Sequence, residues 1–225
     1  MLLEICAFNI QSCIIAEKAG AGRIELCADP LQGGTTPSFG LIEYALHHIS
    51  IPIFPMIRPR GSDFIYDDDE MAIMKKDILV CRQLGCPGIA TGMQSADKRI
   101  NTEQLKRIVE WAHPMQVTCH KVFDQAPDAL QALEDVITTG CSRILTSGLQ
   151  KTALEGAAVL SQLISQSAGR IIIMPGGGVR SSNIAQLIHE IGATEYHSSA
   201  LLATNSYHTA DELEIKILTT TLLNK

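Results

Sequence analysis

The sequence predicts a TIM (β/α)8 barrel folded as a single domain over residues 1–225. Three observations carry that expectation. Strand-like and helix-like segments alternate from one end to the other. Strand starts recur every ~25–30 residues, as βα units of ordinary length do. Eight strand candidates are each followed by a helix candidate. A doubly wound open sheet is the alternative, but it usually has fewer strands and sets a glycine-rich turn after the first, where this chain reads "AFNIQS". No nucleotide cofactor is expected.

The first strand candidate is Leu2–Cys6. Side chains alternate along a strand, so Leu3 and Ile5 share one face while Glu4 and Cys6 share the other. The helix that follows stops at Gly20. The second, Arg23–Cys27, sets Ile24 and Leu26 against Arg23, Glu25 and Cys27. The outside of a barrel packs on helices and must be apolar, so the polar sets point into the lumen. The third, Pro52–Arg58, sends Arg58 and then Arg60 inward by the same parity, with Pro59 stiffening the exit. "DDDE" at 67–70 opens the next helix, where acids suit the positive end of the dipole as a solvated first turn rather than a metal site. The fourth strand, Gly88–Gly92, is faint. Asn101 and Thr102 then start a helix in which Leu105, Ile108, Val109 and Ala112 form one apolar stripe.

The fifth strand, Met115–His120, directs Thr118 and His120 inward, and Gly140 closes its helix. Arg143–Ser147 is the sixth. The seventh, Arg170–Met174, runs on to Gly176, Gly177 and Gly178. "NIAQLIHEIG" repeats the helical stripe with Ile184, Leu187, Ile188 and Ile191. The eighth, Thr194–His197, turns Glu195 and His197 inward, and "DELEIKILTTTLL" is the last amphipathic stretch.

Composition narrows the classes. Of 225 residues, 46% are hydrophobic and 19% charged, with a formal charge of −6, ordinary for a chain with a substantial core. No apolar run approaches the ~18–20 residues that cross a bilayer. The N-terminus shows neither a basic n-region nor a small-residue cleavage site. A cytoplasmic location without a membrane partner is the expectation. Lysines and arginines are scattered among acids and aromatics are few, which argues against nucleic acid. Seven cysteines without a C-x-x-C pair argue against a zinc ribbon or a disulfide framework, so most thiols are expected to be reduced and buried.

The lumen residues converge on one rim. Ionised groups there cost several kcal/mol each unless paired. Arg58 and Arg60 are therefore either partners of Glu4 and Glu25 or bidentate forks for a carboxylate or phosphate. Glu4, Glu25, His120 and Asp124 are candidates for proton handling. Gly176, Gly177 and Gly178, followed by Ser181, Ser182 and Asn183 at a helix start, form an anion cradle or simply a tight turn. Lys121, Ser147, His197 and Ser198 complete the candidate anion-binding set. His120 reads as a base, a metal ligand or a satisfied core histidine. Cys6 and Cys27, taken singly, read as small buried hydrophobes near the rim. His47, His48, His113, His189 and His208 read as surface residues.

Five stretches in order, "EICAFNIQSCIIAEKAGAGRIELCADPLQGGTTPS", "MIRPRGSDFIYDDDEMAIMKKDI", "VTCHKVFDQAPDALQALEDVITTGCSRILTSG", "IMPGGGVRSSNI" and "YHSSA", together resemble the CutC family, named as copper homeostasis proteins. The resemblance implies a cytoplasmic TIM barrel, often a homo-oligomer (dimer or tetramer), associated with copper tolerance or copper binding. It links copper to cysteines, which here fall on Cys6 and Cys27 of sequential strands; soft thiolates suit Cu(I). The family's usual "TFHRAFD" reads "TCHKVFD" here, with Cys119 for phenylalanine and Lys121 for arginine. The fourth loop lacks the usual "FG" and carries Asn101 where an aspartate is expected. Two functions follow: copper handling at Cys6 and Cys27, or an enzyme acting on a small anionic or phosphorylated substrate at the C-terminal rim.

Overall fold

Alternation along the strands, more than any single residue, decides this architecture. The computed structural model describes residues 1–201 and 207–224. In it the strands β1 (Leu2–Ala7), β2 (Arg23–Leu26), β3 (Ile53–Pro55), β4 (Gly88–Thr91), β5 (Gln116–Cys119), β6 (Arg143–Thr146), β7 (Ile172–Pro175) and β8 (Glu195–Ser198) are all parallel where they pair. Between them run α1 (Ile10–Lys18), α2 (Phe39–His48), α3 (Asp68–Gln83), α4 (Thr102–Ala112), α5 (Ala129–Ile137), α6 (Ala157–Ser167), α7 (Ile184–Ile191) and α8 (Glu212–Leu223). The fold is a TIM barrel.

The ring is assembled from two four-stranded arcs, β3-β2-β1-β8 and β4-β5-β6-β7. One joint between the arcs is backbone: Met56 and Ala90 form a parallel bridge, and the Ile57 N–H donates to the Ala90 carbonyl at 2.8 Å. At the other joint β7 and β8 lie side by side with no backbone ladder among the described residues. β3 is shorter than its parity pattern suggests. Pro52, Pro55 and Pro59 lack N–H groups to continue a ladder, so after Pro55 the chain leaves strand geometry.

Leu3, Ile5, Ile24, Leu26 and Tyr196 fill the layer between strands and helices, all at most 2% exposed. Inside the ring sits a separate small cluster of Cys6, Cys27, Met56 and Ala90, which is the two-faced burial that strand parity predicts. Helix punctuation is also as read: Asp67 and Glu70 make a reciprocal capping box at the start of α3, and Asn101 accepts from the Gln104 N–H to cap α4.

The lower lumen is charged. Glu4 of β1 accepts from the Arg23 guanidinium of β2, which also donates to Glu195 of β8. Arg143 of β6 donates to the same Glu195 carboxylate at 3.1 Å and to the Gln116 side chain at 2.9 Å. Both guanidinium groups lie over the Phe54 ring, at 5.1 and 5.2 Å from its centroid. The expected pairing of Arg58 and Arg60 with Glu4 and Glu25 does not occur. Arg23, Arg143 and Glu195 each open their strand and so share the lowest layer with Glu4, whereas Arg58 lies beyond the end of β3, at the top.

Burial works to raise the Glu4 pKa, but the bond to His197 and the Arg23 charge hold it at about 2. Its ionisation therefore stabilises the fold above about 4.5, the ordinary carboxyl value, and that contribution is lost as pH falls toward about 2. Glu4→Gln is expected to cost about 3–5 kcal/mol, because it leaves buried guanidinium charge uncompensated. Denaturant unfolding at neutral pH checks this, together with a shallower loss of stability on acidification; an unchanged midpoint would remove the lattice from this role.

Candidate functional site

The upper lumen opens into a cavity of about 220 Å3 at the C-terminal ends of the strands. Its wall includes Cys6, Glu25, Met56, Arg58, Phe64, His120, Lys121, Gly177, Gly178, Arg180, His197 and Ser198.

Cys6 and Glu25 line its floor; Cys6 Sγ stands 3.8 Å from the Sγ of the buried Cys27, which lies 3.6 Å from Glu25 Oε2. Cys6, Glu25 and Cys27 offer ligand atoms within 4.8 Å of one another, all buried. Two soft sulfurs that close, with a carboxylate beside them, fit a Cu(I) ion and would be an unusual set for a hard cation. The bond with Cys27, helped by His197 and opposed by burial, lowers the Cys6 thiol pKa, while Cys27 is pushed up. Burial and then the Cys6 charge raise Glu25. His197 Nδ1 is 2.7 Å from Glu4 Oε1, so the charged lattice below carries this imidazole. Burial favours neutral His197, but its bonds to Cys6 and Glu4 outweigh that and raise its pKa to about 10.

Arg58 is 4% exposed, yet its guanidinium meets only carbonyls: Gln32 at 2.6 Å, Gly34 at 2.8 Å and Ser62 at 2.9 Å. Its plane lies over Phe64, with Cζ 4.6 Å from the ring centroid. His120 packs on the same ring at 4.9 Å and accepts from the Val122 N–H through Nδ1 at 3.1 Å. Gly92 leaves room for it, since a Cβ there would sit 2.9 Å from the imidazole. Burial, then the Arg58 charge, depress the His120 pKa to about 3. His120 is thus a neutral ring at physiological pH, and the expectation of a general base gives way to that of a hydrogen-bond donor. Among the described residues, three buried atoms on residues that line the cavity have no hydrogen-bond partner: Glu25 Oε1, Arg58 Nε and His120 Nε2.

On the other side of the mouth, Lys121 Nζ bonds Asp124 at 2.6 Å and Ser147 Oγ at 2.7 Å. Gly177 has φ +95, and a Cβ there would come 3.1 Å from that ammonium; only glycine takes this conformation readily and clears the lysine. Arg180 reaches Ser198 Oγ at 3.2 Å and the Leu201 carbonyl at 3.2 Å. Among the described residues neither Arg58 nor Arg180 has a carboxylate partner.

Several expected site residues lie elsewhere. Arg60 is turned outward to Glu70 and Asp63 and lies over Tyr66, because strand parity ends at Pro55. Asp124 is not in the wall of this cavity and is bonded by Ser147, Leu149, Thr146 and Lys121, so it positions the β6 turn and the lysine rather than moving a proton. Ser147 is fully buried in that same network. The Gly176 N–H is spent on the Thr146 carbonyl. Ser181, at the approach to α7, is occupied by the chain's own Glu214, with its N–H at 2.8 Å and its hydroxyl at 2.6 Å from that carboxylate. The Ser198 hydroxyl lines the mouth but donates to the Val179 carbonyl. Arg180, Phe64 and Met56 were not anticipated. Arg180 follows the glycines in "GGGVR", and Met56 shares parity with Phe54, so both carried a signal; Phe64 lies in irregular chain with none.

A family model described as the CutC family matches residues 1–202. The chain belongs to the CutC family. The "Copper homeostasis protein cutC homolog" of Mus musculus is 44% identical over 199 residues, 88% of this chain and 73% of that protein. A family protein CutC of Chromobacterium violaceum is 46% identical, over 88% of this chain and 81% of its own length. The crystal structure of a putative copper homeostasis protein CutC from Streptococcus agalactiae superposes with a TM-score of 0.84 at 32% identity, covering 88% of this chain and 98% of that one. Phosphoribosyl anthranilate isomerase from Thermotoga maritima matches at 0.68 with 14% identity over the full length of both, a likeness of fold.

Of the departures from the CutC pattern at Asn101, Cys119 and Lys121, Asn101 is a helix cap and Cys119 is buried in the outer core. Lys121 alone lines the cavity. The depressed His120 is checked by NMR: its ring protons should not titrate between about pH 5 and 8. A His120 midpoint near neutrality would restore it as a base.

Proposed function

We propose that this CutC-family protein serves copper homeostasis by binding Cu(I) through Cys6 and Cys27, with Glu25 beside them. The observation that carries this reading is the buried Cys6–Glu25–Cys27 group, with its sulfurs 3.8 Å apart and Cys6 and Glu25 lining an open cavity. Relatives named for copper homeostasis support it. A reducing, cytoplasmic setting suits the chain's seven free thiols. No helix among the described residues is long and apolar enough to cross a membrane. Copper here is cargo, held by thiolates and shielded by Met56 and Ala90 around them.

In a competition titration against a Cu(I) chelator, the Cys6→Ser/Cys27→Ser variant should no longer compete. Glu25→Gln should weaken binding by about 10–100-fold, as loss of a neighbouring group does at other metal sites. Full affinity in the double variant would refute the assignment.

A second reading is favoured by a different observation. Arg58 and Arg180 face one small cavity with no acid to neutralise them, and Lys121 joins them at the mouth. Cations so placed suit a small anionic substrate. On this reading the protein is a TIM-barrel enzyme, with the anion held at Lys121, Arg180, Gly177 and Gly178. Inorganic phosphate should bind the metal-free protein in calorimetry, and Arg180→Ala should weaken that binding by about tenfold, the loss of one charge-assisted bond. Phosphate binding that ignores this substitution would count against it.

A further inference from the structure

The Arg58 side of the cavity holds a contradiction. Arg58 is a permanently charged group at 4% exposure whose partners are three neutral carbonyls. A buried cation costs several kcal/mol without a counter-charge, and cation–π contact with Phe64 offsets only part of that. Its Nε–H has no partner among the described residues either, and an orphaned donor adds a penalty of its own.

His120 repeats the pattern across the same phenyl ring. Its Nδ1 accepts from the Val122 N–H, which fixes the neutral tautomer with the proton on Nε2. That Nε2–H, buried and 4% exposed as a residue, also has no partner. Two rigid N–H donors therefore flank Phe64, both on residues that line the cavity, and one belongs to an uncompensated cation. Carbonyls on the loops at Gln32, Gly34 and Ser62 hold Arg58 in place, and the space left by Gly92 seats His120.

We propose that Arg58 and the Nε2–H of His120 form a receptor for a carboxylate or carbonyl oxygen, so that the cavity takes a small molecule with an anionic tail on the Lys121–Arg180 side and an oxyanion-like head on the Arg58–His120 side. This deepens the second reading above and rests on it. A cavity of about 220 Å3 lies below the ~300 Å3 at which ligand pockets for drug-sized molecules begin. The substrate class is thus a few-carbon phosphorylated acid or phosphorylated carbonyl compound. Two fixed donors at such an oxygen would also stabilise negative charge developing there in a reaction.

The test uses the full chain, stripped of metal by a chelator, and three probes in calorimetry: inorganic phosphate for the tail, glycolate for the head and 2-phosphoglycolate for both. 2-Phosphoglycolate is expected to bind about tenfold to hundredfold more tightly than phosphate, the gain of charged hydrogen bonds. His120→Phe, which keeps the ring on Phe64 but removes the donor, should abolish most of that gain. If wild-type protein binds phosphate at Arg180 but binds 2-phosphoglycolate no better, the head receptor is refuted and the anion-binding mouth stands. If neither phosphate nor 2-phosphoglycolate binds, the mouth itself is misread and the proposal falls with it. The wild-type comparison decides the matter even if a variant fails to fold.

Discussion

Everything above the midplane of this barrel rests on a charge lattice below it. Glu4, Arg23, Arg143 and Glu195 come from β1, β2, β6 and β8, so one ionic network reaches both arcs of the ring. Such groups are tolerated inside a protein only when each charge meets its opposite in good geometry, and here each guanidinium also rests on Phe54. An apolar core of the same volume would be as stable or more so. What the lattice supplies is a fixed orientation for the next layer, because Glu4 turns its second oxygen upward to His197.

That upward bond divides the cavity into regions of opposite chemistry. His197 is balanced by Glu4 and stands beside the thiols, so the floor is electrostatically closed and rich in sulfur. Toward the mouth the balance fails: Arg58 and Arg180 lack acids, and the one lysine is already answered by Asp124. A metal-ligating floor and an anion-receiving upper chamber are thus compatible in a single cavity, in a chain whose overall charge is −6. The local excess of cations is a property of placement, since composition points the other way.

Much of this was legible in the sequence. Period-two alternation in "LLEIC" and "RIELC" is enough to direct Glu4, Arg23 and Glu25 into the lumen, because one face of a barrel strand must be apolar. The helix caps at Asp67 and Asn101 are equally local and were equally readable. Pairing was not. Parity says which way a side chain points but is silent on its height along the barrel axis, and height decides that Arg23 and Arg143 meet the glutamates while Arg58 stands above them. Arg60 escaped for a related reason, as two prolines end the strand before the rule reaches it. Asp124 and Gly176 could not be judged from type or spacing, because whether a polar group is available depends on contacts with the turn after β6.

The joint between β7 and β8 gives the lattice one more role. Elsewhere the ring is sewn by amide ladders, which are indifferent to proton concentration and salt. At this joint the side chains act as a clasp: Arg23 spans to Met174 of β7 at 3.3 Å as well as to Glu195 of β8, and Arg143 reaches Glu195 from the opposite arc. The strands on either side of that clasp lead directly to Gly177 on one lip and Ser198 on the other. The two lips of the opening are therefore tied together from beneath by buried side-chain bonds rather than by an amide ladder.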